Sequence, residues 1–454
     1  MTIAYCDETA CPAAGCDPVL CTGLGVPSNE RLFERSQAAI PGGVNSSIRA
    51  FKAVGGSPYV VARAEGPYVY DVEGRELIDL VQSYGAVILG HAHPAITAAI
   101  RGAASDGTSY GAPTPREMKL AETIGERVAS CDLVRLMNSG TEATSTAVRL
   151  ARGFTGRDRI VTFHGNFHGA TDALLAAGGS GVATLGLPGT AGVPAGAVAE
   201  TLVVPYNQVP ALDESVAAVI VEPVAANMGV IAPQPGFLAG LRAECDRVGA
   251  VLIFDEVITG FRLDTGGAQA KYDVTPDVTT FGKVIGGGLP IGAVGGRADI
   301  MRTLSPLGPV FHAGTLSGNP IATAAGLAAL GELTPDVYME LLARAGRLAA
   351  LLRDACASSG FAVRLPVVGT IFGIVCGHPG DVTVPAPVDF AGAKRTDEAA
   401  YAAFFQAMLA EGVAMAPGAY EAIFVGLGHT DAVIDEIADR AARAAAVAAA
   451  QIAG

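Results

Sequence analysis

The chain of 454 residues contains no tryptophan, and aromatic residues make up only 6% of it. Charge is also sparse, at 16%, while half of the residues are hydrophobic, which is the reverse of the composition that keeps a chain disordered. Basic residues are the scarcer sign, 30 against 44 acidic, for a net charge of −14. A field of that sign repels a phosphate backbone, so nucleic acid is excluded as a partner, and an anionic substrate would need a locally placed Arg or Lys. The first twenty residues hold Asp7, Glu8 and Asp17 and lack both a basic segment and an apolar run, so no secretory signal is read and a cytoplasmic protein is expected. Residues 173–199 and 303–331 carry no charge if His312 is neutral. Both are interrupted by Gly, Pro, Ser and Asn, and no membrane span is expected from either. Eight cysteines are present, and four of them, Cys6, Cys11, Cys16 and Cys21, recur at intervals of five. That spacing matches neither paired zinc ligands nor the usual iron–sulfur runs, and the surrounding Gly and Pro favour a disordered tail over residues 1–28 with incidental thiols.

Length alone calls for a large domain and at least one smaller one. A helix is expected from Asn29, with Ser28 as N-cap, ending at Pro41-Gly42-Gly43. An antiparallel meander follows at Pro58–Val61, Tyr68–Tyr70 and Leu77–Leu80, completing an N-terminal unit over residues 29–80. From residue 81 to 332 helix-length segments alternate with short apolar runs at Val134–Met137, Ile160–Phe163, Thr201–Val204, Ala217–Val221 and Val251–Phe254. Such alternation indicates βαβ units and a mainly parallel sheet covered on both faces, an α/β class fold. Residues 333–454 shift to long Ala-, Leu- and Arg-rich helices, read as Val337–Cys356 and Asp431–Ile452, with short strands at Val363 and Ile371–Cys376 and a loop at Val382–Arg395. These form a smaller C-terminal α+β domain.

Three segments carry chemistry. The buried run Val251-Leu252-Ile253-Phe254 ends in Asp255-Glu256, and ligands in open α/β sheets sit at the carboxyl ends of strands. A lone acid there could equally cap a turn. Lys283 lies 28 residues further on, between apolar neighbours and the run Gly286-Gly287-Gly288, a setting unlike that of a solvated lysine. An Asp that holds a pyridinium nitrogen protonated and a Lys that bonds a carbonyl carbon are the protein's share of pyridoxal-phosphate chemistry. The third segment, Asn138-Ser139-Gly140-Thr141-Glu142, follows a strand and opens a helix, which suits a phosphate dianion. Alone it reads as a capping box of Ser139 with Glu142.

Together these segments, Ser139-Gly140-Thr141-Glu142-Ala143, Phe254–Arg262 and Phe281–Arg297, resemble the class III, fold-type I pyridoxal-phosphate aminotransferase family. Pro41–Phe51, Gly90-His91-Ala92-His93-Pro94, Arg149–Gly156, Ala313–Pro320 and Glu421–Phe424 resemble its aminomutase branch. The resemblance covers the chain from Asn29 onward and implies a large domain with a smaller one built from both chain ends. It implies pyridoxal 5′-phosphate as cofactor and an intramolecular amine transfer from glutamate-1-semialdehyde to 5-aminolevulinate. The alternatives are an aminotransferase acting between an external donor and an oxo acid or aldehyde, and a non-catalytic ligand-binding protein of the same fold.

By the same resemblance Lys283 joins the cofactor and shuttles protons, and Asp255 partners the ring nitrogen. Ser139, Gly140 and Thr141 hold the phosphate, Phe167 stacks on the ring beside His168, and Asn227 lies at the ring hydroxyl. Gly314 and Thr315 reach the phosphate from a neighbouring subunit, which implies a homodimer. Ser46 and Arg49 bind the carboxylate of a small amino acid-type substrate, with Glu421 at the cofactor from the smaller domain. Transient contact with the reductase that supplies the aldehyde is a further partner the resemblance allows. The chain departs from the family pattern, several times on the substrate side: Phe167 and Ala170 in place of Tyr and His, Tyr84 of Tyr84-Gly85 in place of Trp, His312 for Gln, Gly426 for Ser and Ser47 for Pro. His91 with His93 and His164 with His168 could be read as metal pairs, but glycines interrupt the second and no metal is expected. Residues 165–199, long and rich in small side chains, read as an active-site lid.

Overall fold

The computed structural model describes residues 28–176, 190–381 and 383–453. The early cysteines and part of the expected lid lie outside them. The first helix runs Asn29–Ala39, and the Ser28 hydroxyl accepts from the Arg31 N–H as an N-cap. Three antiparallel strands follow, β1 (Val61–Glu65), β2 (Tyr68–Asp71) and β3 (Glu76–Asp79). The first begins three residues later than the sequence pattern places it: Pro58 has no N–H to give a ladder, and the Val60 N–H donates to Asn29 Oδ1 at 2.7 Å.

The large sheet contains β4 (Leu133–Met137), β5 (Arg159–Phe163), β6 (Thr201–Val204), β7 (Val216–Val221), β8 (Val251–Asp255), β9 (Val278–Phe281) and β10 (Gly292–Gly296). Its order is β4-β10-β9-β8-β7-β5-β6, parallel except for β10, which runs antiparallel to both neighbours. All six residues of β7 are buried, as a central strand covered on two faces requires. Strands β9 and β10 escape the sequence pattern: one is short, and the other, Gly-Ala-Val-Gly-Gly, has almost no side chain to show a period. Glycine is needed in β10, where a Cβ on Gly292 would lie 2.1 Å from the Ser139 carbonyl oxygen. The missing side chain lets the strand lie against the start of the helix Gly140–Thr155.

Beyond the large sheet come β11 (Val363–Arg364), β12 (Val367–Val368), β13 (Ile371–Phe372), β14 (Val375–Cys376), β15 (Val413–Ala414) and β16 (Ile423–Phe424). Strand β15 pairs parallel with β3, joining the two ends of the chain in one four-stranded sheet. Phe51, Leu77 and Ile78 share a buried cluster with Leu348, Phe404, Met408 and Ile437 from the helices Pro335–Ser358, Glu398–Ala410 and Asp431–Ala453. Fully burying one such Leu, Ile or Phe stabilises by about 1.5–3 kcal/mol, so the meander is held by residues more than 250 positions away. The segment expected as a loop before Arg395 carries one helical turn, Phe390–Ala393, capped by Asp389. Among the described residues no helix is long and apolar enough to cross a membrane.

Candidate active site

Parallel strands bring their carboxyl ends to one edge of the sheet, and the chemistry-bearing residues leave the strands there. Asp255 ends β8, Glu222 directly follows β7, Asn138 follows β4, and Gly282-Lys283 follows β9. They surround a cavity of about 250 Å³ lined by Ser139, Gly140, Thr141, Phe167, His168, Asn227, Asp255 and Lys283, and also by Thr144, Gly169, Glu222, Val257 and Ile258.

Asp255 is buried, and its carboxylate is held at both oxygens. Oδ1 accepts from the Val257 N–H and the Thr280 hydroxyl, each at 3.1 Å, and Oδ2 lies 2.7 Å from His168 Nδ1. The other ring nitrogen of His168 lies 3.1 Å from the Thr162 hydroxyl, so both nitrogens are committed and the histidine acts by orienting Asp255. Glu222 accepts from the Phe167 N–H at 2.7 Å, the Ala226 N–H at 3.1 Å and Asn227 Nδ2 at 2.9 Å. Burial nevertheless pushes its carboxyl up to about 7, with Asp255 adding to the rise and His168 opposing it. Asn227, expected at the cofactor's hydroxyl, is thus fixed by an acid that the motif reading passed over. Glu222 stands directly after its strand much as Asp255 ends its own, but nothing local marks which of such acids turns inward.

Lys283 sits at φ 49°, a left-handed conformation rare for a side chain of its size, at the head of the turn Lys283–Gly286. Gly287, at φ 56°, closes the turn. Burial lowers the lysine's pKa, while Asp255, Glu222 and Glu421 pull it back up and Arg262 lowers it further. A larger neutral fraction is what an amine needs to bond a carbonyl carbon or carry a proton.

At the third wall the helix Gly140–Thr155 points its N-terminus into the cavity. The Ser139 hydroxyl accepts from the Glu142 N–H at 3.2 Å. The reciprocal half of the expected capping box goes one residue earlier, with Glu142 Oε2 accepting from the Asn138 N–H at 2.9 Å. A Cβ on Gly140 would come within 3.1 Å of the Val257 methyls, and one on Gly169 within 2.4 Å of the Thr141 hydroxyl oxygen. These two glycines leave a backbone-lined space beside the hydroxyls and the helix N-terminus, which is what a phosphate dianion takes.

The remaining expected residues stand apart from this cavity. Gly314 and Thr315 are exposed and line a separate groove with Ser109, Tyr110, Thr114 and Glu117. Ser46 and Arg49 are exposed, at the 3-10 turn Ser47–Ala50. The phenol of Tyr84 feels the charges of both Glu421 and Arg49, Lys283 feels Glu421, and the turn Gln82–Gly85 that carries Tyr84 packs on the turn Lys283–Gly286.

A buried carboxylate and a pKa-lowered lysine facing one cavity, with a helix N-terminus at its end, define a fold-type I transferase of amino groups, and this donor set fits pyridoxal 5′-phosphate. The chain belongs to the class-III aminotransferase family, whose model matches residues 51–444. It is 49% identical over 420 residues to a glutamate-1-semialdehyde 2,1-aminomutase from Nitratidesulfovibrio vulgaris, covering 91% of this chain and 97% of that one. An omega-transaminase from Sphaerobacter thermophilus superposes with a TM-score of 0.83 at 30% identity, over 94% of this chain and 98% of the other. A transaminase with pyridoxal phosphate bound superposes with a TM-score of 0.82 at 30% identity, over 94% and 100%.

Proposed function

We propose that this protein is a pyridoxal-phosphate-dependent glutamate-1-semialdehyde 2,1-aminomutase, an isomerase that supplies 5-aminolevulinate for tetrapyrrole synthesis. The observation that carries the reading is the 49% identity maintained over 91% of the chain with a glutamate-1-semialdehyde 2,1-aminomutase. The cofactor, when bound, supplies an electron sink for a carbon that loses its proton. Asp255 would keep a proton on the ring nitrogen, and His168 and Thr280 hold its carboxylate in place for that. Lys283 would move a proton between the substrate carbon and the cofactor's C4′ in each half of the transfer, a role that suits a lysine with a lowered pKa. Ser139, Gly140 and Thr141 would hold the phosphate, Phe167 would cover the ring, and Arg49 with Ser46 would bind the carboxylate that a chain of net charge −14 otherwise repels.

Gly314 and Thr315 would complete a partner's phosphate site in a homodimer. In support, Leu307, Phe311 and Leu316 are 74%, 69% and 53% exposed around them, a concentration of bare apolar surface that a second copy would cover. Mixing Lys283→Ala subunits with Thr315→Ala subunits then restores activity in hybrids.

The deciding experiment supplies glutamate-1-semialdehyde with no amino donor and no oxo acid. Continuous formation of 5-aminolevulinate is expected. Turnover that stops near one equivalent and resumes only with an external donor makes the protein an intermolecular aminotransferase.

A further inference from the structure

Arg262 is fully buried, and every acceptor recorded for its guanidinium is a neutral oxygen. Nε and Nη2 donate to the Gly85 carbonyl at 3.2 and 2.8 Å, while Nη1 donates to the Val425 carbonyl at 3.2 Å and the Thr370 hydroxyl at 3.5 Å. Thr370 in turn donates to the Arg262 carbonyl at 3.1 Å. Burial without a neutralising carboxylate pushes this arginine down to about 9. A cation in that position is a costly way to fill a core, and an apolar side chain would fill it better.

The carbonyl it grips belongs to an unusual turn. Gln82, Ser83 and Tyr84 are left-handed in succession, at φ 46°, 51° and 54°, before Gly85 at 96°. Non-glycine residues keep such angles only where their surroundings impose them. On the near side Asp79 accepts from the N–H groups of Val81 at 2.8 Å and Gln82 at 3.1 Å. On the far side stands Arg262. The turn packs between the Lys283–Gly286 turn and β16, so closely that a Cβ on Gly85 would lie 2.7 Å from the Phe424 ring. Ser83 is its exposed corner, and beside it the half-buried Tyr84 feels the charges of Glu421 and Arg49.

We propose that Arg262 is a positioning residue: from inside the core it ties the left-handed turn Gln82–Gly85 to the segment Phe424–Val425, and so sets where Tyr84 stands against the turn that carries Lys283 to its cavity. The inference rests on that cavity being the reaction site, as proposed above, and not on which amino substrate fills it. The fork geometry is essential, because three nitrogens reach two carbonyls on different parts of the chain. A lysine keeps the charge but has one head to offer.

The test is a double-mutant cycle on the holoenzyme. Arg262→Lys should raise KM for glutamate-1-semialdehyde about tenfold with kcat and the cofactor's absorption band nearly unchanged; in a Tyr84→Ala background the same substitution should change KM less than about twofold. Equal effects in the two backgrounds, or a lowered unfolding temperature with KM unchanged, would overturn the proposal. Should Arg262→Lys not fold, Thr370→Val removes one strand of the clamp. A rise in KM of about two- to threefold, absent with Tyr84→Ala, is then expected, and an unaltered KM in the folded protein overturns it. A wild-type protein that does not turn over glutamate-1-semialdehyde defeats the proposed function alone. The cycle is then read from the dissociation constant of 5-aminolevulinate, followed by the change it causes in cofactor absorption.

Discussion

The two halves of the site, the cavity itself and the wall around Tyr84 beside it, are built on opposite plans. The half that faces Asp255 is made from consecutive strand ends of one sheet, and each carboxylate oxygen there is hydrogen-bonded at 2.7–3.1 Å. The wall around Tyr84, beside the cavity, is assembled from residues 46–49 and 82–85 with 421–425, and the last segment, hundreds of positions from the other two, comes to it because the small domain folds from both ends of the chain. A rigid sheet edge can specify a cofactor with few residues, whereas a composite wall can change its substrate through one supporting contact. The departures at Tyr84 and Ser47 lie in the composite wall, with Gly426 at its edge, while Phe167 lines the cavity.

The severest way to break the sheet-edge half is Lys283→Ala. Turnover should fall by about a thousandfold or more, and borohydride should no longer fix the cofactor to the peptide that carries residue 283. Undiminished label on another lysine would show that the site has been placed on the wrong residue. Asp255→Asn comes next, with turnover down at least about a hundredfold and the cofactor held more weakly, since the amide cannot keep the ring nitrogen protonated. Far-ultraviolet circular dichroism should be unchanged. Near-normal turnover in that folded variant would remove Asp255 from the mechanism.

This division also explains what could be read in the sequence. The strands β4 to β8 and the motifs at their ends are contiguous, and a run such as Val251–Asp255 announces both its burial and its terminal acid. The cavity lining at Ser139, Gly140, Thr141, Phe167, His168, Asn227, Asp255 and Lys283 is legible from those runs together with the family resemblance. Glu222 was overlooked because nothing local separates a strand-terminal acid that braces an asparagine from one that faces solvent. The left-handed turn at Gln82–Gly85 and the buried role of Arg262 leave no local mark at all. Their geometry is set by β16 and by a hydrogen bond across 177 positions, which tertiary packing imposes against intrinsic preference. Strand β10 was missed for the opposite reason, since glycines that permit its close approach to Ser139 also erase its hydrophobic period.

Substitution in the composite wall should separate substrate from cofactor. Arg49→Lys keeps the charge and gives up bidentate contact with a carboxylate, so KM should rise about tenfold while the cofactor spectrum and its dissociation constant stay the same. Measuring both on one preparation makes the comparison direct, and loss of cofactor from Arg49→Lys would show that the two halves are not separable.

The gentlest perturbation is acid. His429, buried beside the wall, accepts from the Gly426 N–H at Nδ1, at 3.0 Å, and reaches the Asp79 carbonyl with Nε2, also at 3.0 Å. Only the neutral ring can accept at one nitrogen and donate at the other, and burial pushes the group down from 6.5 to about 4. Because the folded value lies below the unfolded one, the unfolded chain binds the extra proton first. The contribution to stability is complete above pH 6.5 and is lost progressively as pH falls toward 4, by about 3 kcal/mol in all. Glu222 in the other half has the opposite sign. Its carboxyl is raised to about 7, so its contribution is present below its unfolded value of 4.5 and is lost as pH rises through 7. Acidification from pH 7 to 5 should therefore lower the unfolding temperature while the folded His429 ring stays neutral and keeps its contacts, so a change in KM over this range belongs to the protonation of Glu222 and not to this wall. His429→Gln can reproduce the neutral contacts, accepting with its oxygen and donating with its nitrogen, so it should flatten the dependence of the unfolding temperature on pH across this range. If the slope in His429→Gln equals that of the wild type, the acid sensitivity lies in the surface carboxylates and not in this wall.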